Sequence, residues 1–164
     1  MTTAKKIATF KDTALDRQIQ EIINNQYTDT GAEGTFTPTI IGSTKPGVQT
    51  YTYQIGWYRA VGDIVFFMLR VRTSSLDGAI AGIVRIGGLP YPAKTLTNSI
   101  SSLSIGLFSG VTLGAGFTQL GANIPSADPY ITVSQMGSAI ATVNLPVTQI
   151  AAATEIRISG FYFI

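Results

Sequence analysis

The sequence contains no cysteine and no histidine. That excludes disulfides, a thiolate nucleophile, an imidazole general base, and zinc, haem or iron–sulfur centres built on the usual ligands. Charge is scarce too: 11 Lys+Arg face 9 Asp+Glu, a net of +2. The seven basic residues after position 34 are scattered along the chain rather than gathered into a stripe, so no nucleic-acid partner is expected. After Lys5 and Lys6 the apolar stretch Ile7-Ala-Thr-Phe10 closes at once on Lys11 and Asp12, and no secretory signal is expected. What remains is 164 residues, 45% of them hydrophobic. This suits one core-bearing domain with room for a short appendage, held by burial alone or by burial plus oligomerisation.

The charges are unevenly placed. Residues 1–34 hold Lys5, Lys6, Lys11, Asp12, Asp16, Arg17, Glu21, Asp29 and Glu33, and the remainder of the chain holds only eleven more. Within the charged part, residues 12–26 carry Leu15, Ile19 and Ile22 at steps of four and three, the spacing of a seam on one helical face. Asp12 or Thr13 can cap the start, and Asn24-Asn25 is a suitable stop. Two heptads are marginal alone in water. The seam therefore docks on its own domain or, the reading favoured here, meets identical helices around an axis. Tyr27-Thr-Asp-Thr-Gly-Ala-Glu-Gly34 reads as a linker. The expected organisation is a helical attachment and trimerisation segment with linker over 1–34 and a β head over 35–164.

From Thr35 onward strands are separated by turn residues. Expected strands are Phe36–Ile41, the stretch with Tyr51, Tyr53, Ile55 and Trp57 on one face, Ile64–Leu69, Ala79–Ile86, Thr95–Phe108, Gly110–Phe117, Tyr130–Gln135, Ala139–Leu145 and Glu155–Ile164. Ile64–Leu69 is continuously apolar, as in a strand buried on both faces. The fold class is all-β, a jelly-roll-like antiparallel sandwich with a short N-terminal helix. Between Lys94 and Glu155 the single charge is Asp128, which raises a membrane span. Yet Leu103, Ile105, Leu107, Val111 and Leu113 alternate with Ser102, Ser104, Gly106, Gly110 and Thr112, a period of two that favours a strand on a core over a helix. No membrane insertion is expected.

The chain ends on Glu155-Ile-Arg-Ile-Ser-Gly-Phe-Tyr-Phe-Ile164, apolar to its last residue, whereas termini are usually solvated. Ile156, Ile158, Tyr162 and Ile164 share one face; Arg157, Ser159, Phe161 and Phe163 share the other. One face packs in the sandwich, and the second meets neighbouring subunits or is buried within the same sandwich. The interface candidates are thus Leu15, Ile19, Ile22, Phe161 and Phe163.

Catalysis has little to draw on. Glycan cleavage needs paired carboxylates about 5–10 Å apart, and the body offers Asp63, Asp77, Asp128 and Glu155. The first three sit in turn sequences: Val61-Gly-Asp-Ile, Leu76-Asp-Gly78 with the composition of a type I′ turn, and Asp128 before Pro129. No catalytic residue, metal site or cofactor is assigned. For ligand contact the candidates are aromatics beside turns, Tyr58, Tyr91 and Tyr130, since aromatic faces bury large area with few rotors. Trp57, in phase with Tyr51 and Tyr53, is expected in the core.

The block Gly34-Thr-Phe-Thr-Pro-Thr-Ile-Ile-Gly-Ser-Thr, then Thr50-Tyr-Thr-Tyr-Gln-Ile-Gly-Trp-Tyr-Arg-Ala-Val-Gly-Asp-Ile-Val and Ile86-Gly-Gly-Leu-Pro-Tyr resembles carboxyl-terminal modules of tailed-bacteriophage fibre and receptor-binding proteins. Ile158-Ser-Gly-Phe-Tyr-Phe-Ile164 is similar to the last strand of trimeric jelly rolls of the tumour-necrosis-factor and complement-head type. The resemblance implies a homotrimeric virion appendage, joined to other virion proteins through its N-terminal segment and adsorbing to a host cell-surface glycan or protein through loops of its head. The alternative is a purely structural virion decoration or connector protein. No fibre-shaft repeats are present, so a head-associated or a tail-associated position fits equally.

Overall fold

The structure, a computed structural model, describes residues 15, 17–19 and 31–164. The chain divides into two compact units, Met1–Gly31 and Ala32–Ile164. In the first, Leu15 and residues 17–19 are helical; Ile22 lies outside the described residues.

The second unit contains ten strands: β1 (Glu33–Phe36), β2 (Thr39–Gly42), β3 (Thr50–Val61), β4 (Ile64–Ser75), β5 (Val84–Gly87), β6 (Ile100–Val111), β7 (Gln119–Pro125), β8 (Ile131–Gly137), β9 (Ile140–Asn144) and β10 (Ile150–Phe163). A single 3₁₀ turn, Val147–Gln149, precedes β10. Strands follow one another in space as β1-β3-β4-β10-β6-β7-β8-β5-β2, with β9 on β8, and every pairing among them is antiparallel. β6 turns the corner. Its first residues, Ile100–Leu103, pair with β7, and its later ones, from Ser104 onward, pair with β10. One curled sheet, open at β1 and β2, thus folds over into the all-β antiparallel sandwich that the patterning predicts.

The core forms where the inward residues of both layers meet. β4 contributes Val65, Phe67, Leu69 and Val71; β10 contributes Ile156, Ile158 and Tyr162; opposite them lie Ile86, Leu120, Ile124, Ile131 and Val133. The alternation expected for the last strand holds, with Ile156, Ile158 and Tyr162 buried and Arg157, Ser159 and Phe161 exposed. Gly56 marks a close approach: a Cβ there would strike the Phe36 ring. Gly62 takes φ 57° in the two-residue turn joining β3 to β4, a conformation free of penalty only without a Cβ.

Several expectations are corrected. The run Phe36–Ile41 is two strands, because Pro38 has no N–H for a ladder; β1 then pairs with β3 and β2 with β5. β1 begins at Glu33, inside the stretch read as linker. Gly110–Phe117 is not a separate strand: Gly110 takes φ 69°, β6 ends at Val111, and Phe117 closes a turn onto Gly114. β7 was not anticipated, since Gly121 and Asn123 dilute the alternation of Leu120, Ala122 and Ile124. Leu76-Asp-Gly78 is no type I′ hairpin: Gly78 lacks the positive φ, and Asp77 accepts from the backbone N–H groups of Val48 and Ala79 at 2.9 Å each as the chain crosses to the other layer.

Two bulges explain the remaining face errors, because one extra residue reverses every later side chain. In β3, Tyr51 faces Thr73 and Tyr53 faces the adjacent Arg72. The extra residue, Thr52, turns Tyr51 inward, where its hydroxyl donates to the Ile40 carbonyl at 3.2 Å and accepts from the Ile40 N–H at 2.9 Å. Tyr53, Ile55 and Trp57 are left outside. In β6, Leu107 faces Arg157 while Ile105 faces Ile158, so Gly106 is the extra residue. Ile105 and Phe108 pack on the core, and Leu107 points out. Among the described residues no helix is long and apolar enough to cross a membrane.

Candidate functional site

The outer face of β3, β4 and β10 follows directly from the register. Its rows are Ile64–Phe163; Arg59–Phe66–Phe161; Trp57–Met68–Ser159; Ile55–Arg70–Arg157–Leu107; and, at the far end, Tyr53–Arg72–Glu155–Ser109. The first three rows are largely apolar and yet open: Phe66 is 47% exposed, Met68 58%, Phe161 48% and Trp57 41%. β4 is therefore not buried on both faces, and Trp57 is not a core residue. Phe66 and Phe161 sit 5.9 Å apart and Phe161 and Phe163 6.4 Å apart, ring centre to ring centre. Phe161 and the half-buried Phe163 thus join with Phe66 and Met68 into an apolar patch that the strands of the sandwich leave uncovered. Leu15 and Ile19 belong to the other unit and are exposed.

The far end of the face is polar. Glu155 is buried beneath arginines: Arg70 donates through Nε to Oε1 at 2.9 Å and through Nη2 to Oε2 at 3.5 Å, and Arg157 donates through Nε to Oε1 at 2.8 Å. Arg72 stands 3.8 Å from Oε2, and its Nε is buried without a partner. The Arg70 guanidinium also lies over the Tyr53 ring, 3.6 Å from its centre. The hydrogen bonds from Arg70 and Arg157 hold the Glu155 carboxyl below its ordinary range, and the bond to Glu155 raises Arg70. Between the two ends runs a groove of about 430 Å³, lined by Ile55, Trp57, Met68, Arg70, Arg157 and Ser159.

The three tyrosines proposed as ligand contacts are not brought together. Tyr58 and Tyr91 meet edge to face at 5.6 Å, and the series continues inward through Phe36 and Phe67 to Tyr162. The Tyr162 hydroxyl donates to the Tyr91 carbonyl at 3.0 Å and accepts from its N–H at 3.4 Å, and burial pushes that phenol up to about 12. Tyr130 instead faces Arg85, with 5.5 Å from guanidinium to ring centre. The remaining body acids have local partners: Asp63 pairs with Lys94 at 3.0 Å, and Asp128 accepts from the Tyr130 N–H at 3.1 Å. Sequence reasoning missed the arginine cluster and the groove. The usable signal was Arg70-Val-Arg72 and Glu155-Ile-Arg157, charges two apart in apolar strands and therefore on one face.

No family model matches the chain, and no curated protein matches it. Among solved structures, the crystal structure of the Dettilon tailspike protein (gp208) matches with a TM-score of 0.67 at 20% sequence identity, over 82% of this chain. The match covers 24% of that chain, so the present chain corresponds in length to a fraction of the tailspike. The likeness is one of fold: a β-sandwich of a kind that occurs within a phage tailspike.

Proposed function

We propose that the chain is a bacteriophage virion module of the fibre or tailspike kind, a homotrimer whose β head adsorbs to a host cell-surface glycan or protein. In this reading residues 1–34 attach it to other virion proteins and bundle its helices through Leu15, Ile19 and Ile22. The observation that carries the proposal is the open patch of Phe66, Met68, Trp57 and Phe161 on a fold shared with part of a tailspike. Fully burying such a side chain stabilises by roughly 1.5–3 kcal/mol, and a contiguous exposed set marks an interaction surface. Trimeric rather than dimeric closure follows the resemblance of the last strand to trimeric jelly rolls. The protein is read as a binding and structural component, not an enzyme.

A second reading, a decoration or connector protein without receptor binding, is favoured by one observation: Tyr58 and Tyr91, two of the three candidate contacts, are tied into the aromatic series that leads to the core. Adsorption of the purified, labelled protein to bacterial cells separates the two. Saturable binding to a host strain supports the first, and failure across a panel of hosts supports the second.

A further inference from the structure

The cluster at Glu155 is unbalanced. Three guanidiniums share one carboxylate, leaving an excess of two positive charges at that end of the face. Of the other acids among the described residues, Asp63 holds Lys94, Asp77 caps two backbone N–H groups, Asp128 caps one, and Glu33 stands opposite Arg59 in the β1–β3 register. Pressing identical copies together over the arginines would remove like charges from water without a counter-ion, which is strongly unfavourable. The apolar rows carry one charge, Arg59, which stands opposite Glu33 in the β1–β3 register, and so a smaller penalty. An interface between copies therefore stops near the Trp57–Met68–Ser159 row, and the groove at its border stays open to solvent.

What the groove presents is specific. Arg70 is fixed by Glu155 on one side and by the Tyr53 ring beneath it. Arg157 bonds Glu155 through Nε alone, which leaves both of its terminal nitrogens to donate elsewhere. Trp57 forms an exposed aromatic wall, and the Ser159 hydroxyl lines the same space. The groove wall is mostly apolar, with Ile55, Trp57, Met68 and Leu69, and the Arg70 and Arg157 guanidiniums stand toward its polar end. This matches a sugar ring that bears a carboxylate, because guanidinium binds carboxylate with two parallel hydrogen bonds and the apolar face of the ring packs on indole.

We propose that this groove binds an acidic saccharide, its carboxylate on Arg157 and Arg70 and its ring against Trp57. The choice of a saccharide rests on the adsorption reading above; the preference for an anion rests on the arginine excess alone. The test is titration calorimetry on the full chain in its solution assembly, with a galacturonate trisaccharide, an N-acetylneuraminate oligomer and neutral galactotriose as probes. At least one acidic probe is expected to bind at least tenfold more tightly than the neutral one, and to weaken as salt is raised. Arg157→Gln and Trp57→Ala should each lower its affinity tenfold or more with the melting temperature retained, and Ile140→Ala, at an exposed position on β9 outside the groove, should leave it unchanged. Binding of neither acidic probe up to millimolar concentration, equal binding of the neutral probe, or indifference to Arg157→Gln and Trp57→Ala overturns the proposal. Cell adsorption is measured alongside: adsorption that persists without acidic-probe binding sinks this site only, whereas loss of both removes the adsorption reading as well.

Discussion

Single residues carry the electrostatics of this protein, and two of them make its stability depend on pH in opposite directions. Glu155 is ionised more readily folded than unfolded, because Arg70 and Arg157 bond its charged form. Its contribution is present in full above its ordinary value of 4.5 and is lost as pH falls below it. Glu155→Gln should destabilise by about 1–2 kcal/mol near neutrality, less than the ~3–5 kcal/mol of a fully buried pair since the guanidiniums remain in contact with water. It should also flatten the acid limb of a denaturation series; an unchanged acid limb would count against the cluster. Tyr162 behaves conversely. Its phenol is raised from 10.0 to about 12 by burial, so stability holds below pH 10 and falls as pH rises toward 12. Tyr162→Phe should remove that alkaline loss, as urea midpoints between pH 9 and 12 will show. The sequence shows Arg70 with Arg72 and Glu155 with Arg157 two apart and so on one face each, but Arg70 and Glu155 are 85 residues apart, and only the register of β4 on β10 makes them neighbours.

At the scale of elements, β4 and β10 have an inner and an outer side with separate duties, and β10 shows it best. Ile158 is buried in the sandwich while Phe161 is exposed on the far side. Ile158→Ala should cost roughly 2–5 kcal/mol of folding stability. Phe161→Ala should barely move the melting of the isolated fold and should instead weaken association of copies; equal effects of the two changes on folding would mean that the outer face is part of the core. Both sides of β10 were legible because its alternation runs unbroken from Ile156 to Tyr162. In β3 and β6 the same reading failed at Thr52 and Gly106, where a bulge shifts the phase; Thr52 gives no sign of it, and Gly106, a residue type that often marks a bulge, is one of several glycines in its stretch. β4 failed differently. Phe66 and Met68 are as apolar as Phe67 and Leu69, and composition does not distinguish a face covered by the same chain from one left for another. Tyr58, Tyr91 and Tyr130, expected as ligand contacts from their places beside turns, are half-buried, and turn position gave no hint that Tyr91 is bonded to Tyr162.

The sandwich unit combines a self-sufficient core with a second apolar surface that its own strands do not cover. Such a surface on a chain of net charge +2 offers little repulsion to oppose self-association. Copies meeting through Phe66, Met68 and Phe161 would bury the patch, leave the arginine end in water, and set the heads side by side in a virion appendage. The most direct measurement is sedimentation equilibrium of the full chain at micromolar concentration. The account predicts a species of three times 17.4 kDa that Phe161→Asp shifts toward the single-chain mass, whereas a stable wild-type monomer would contradict it.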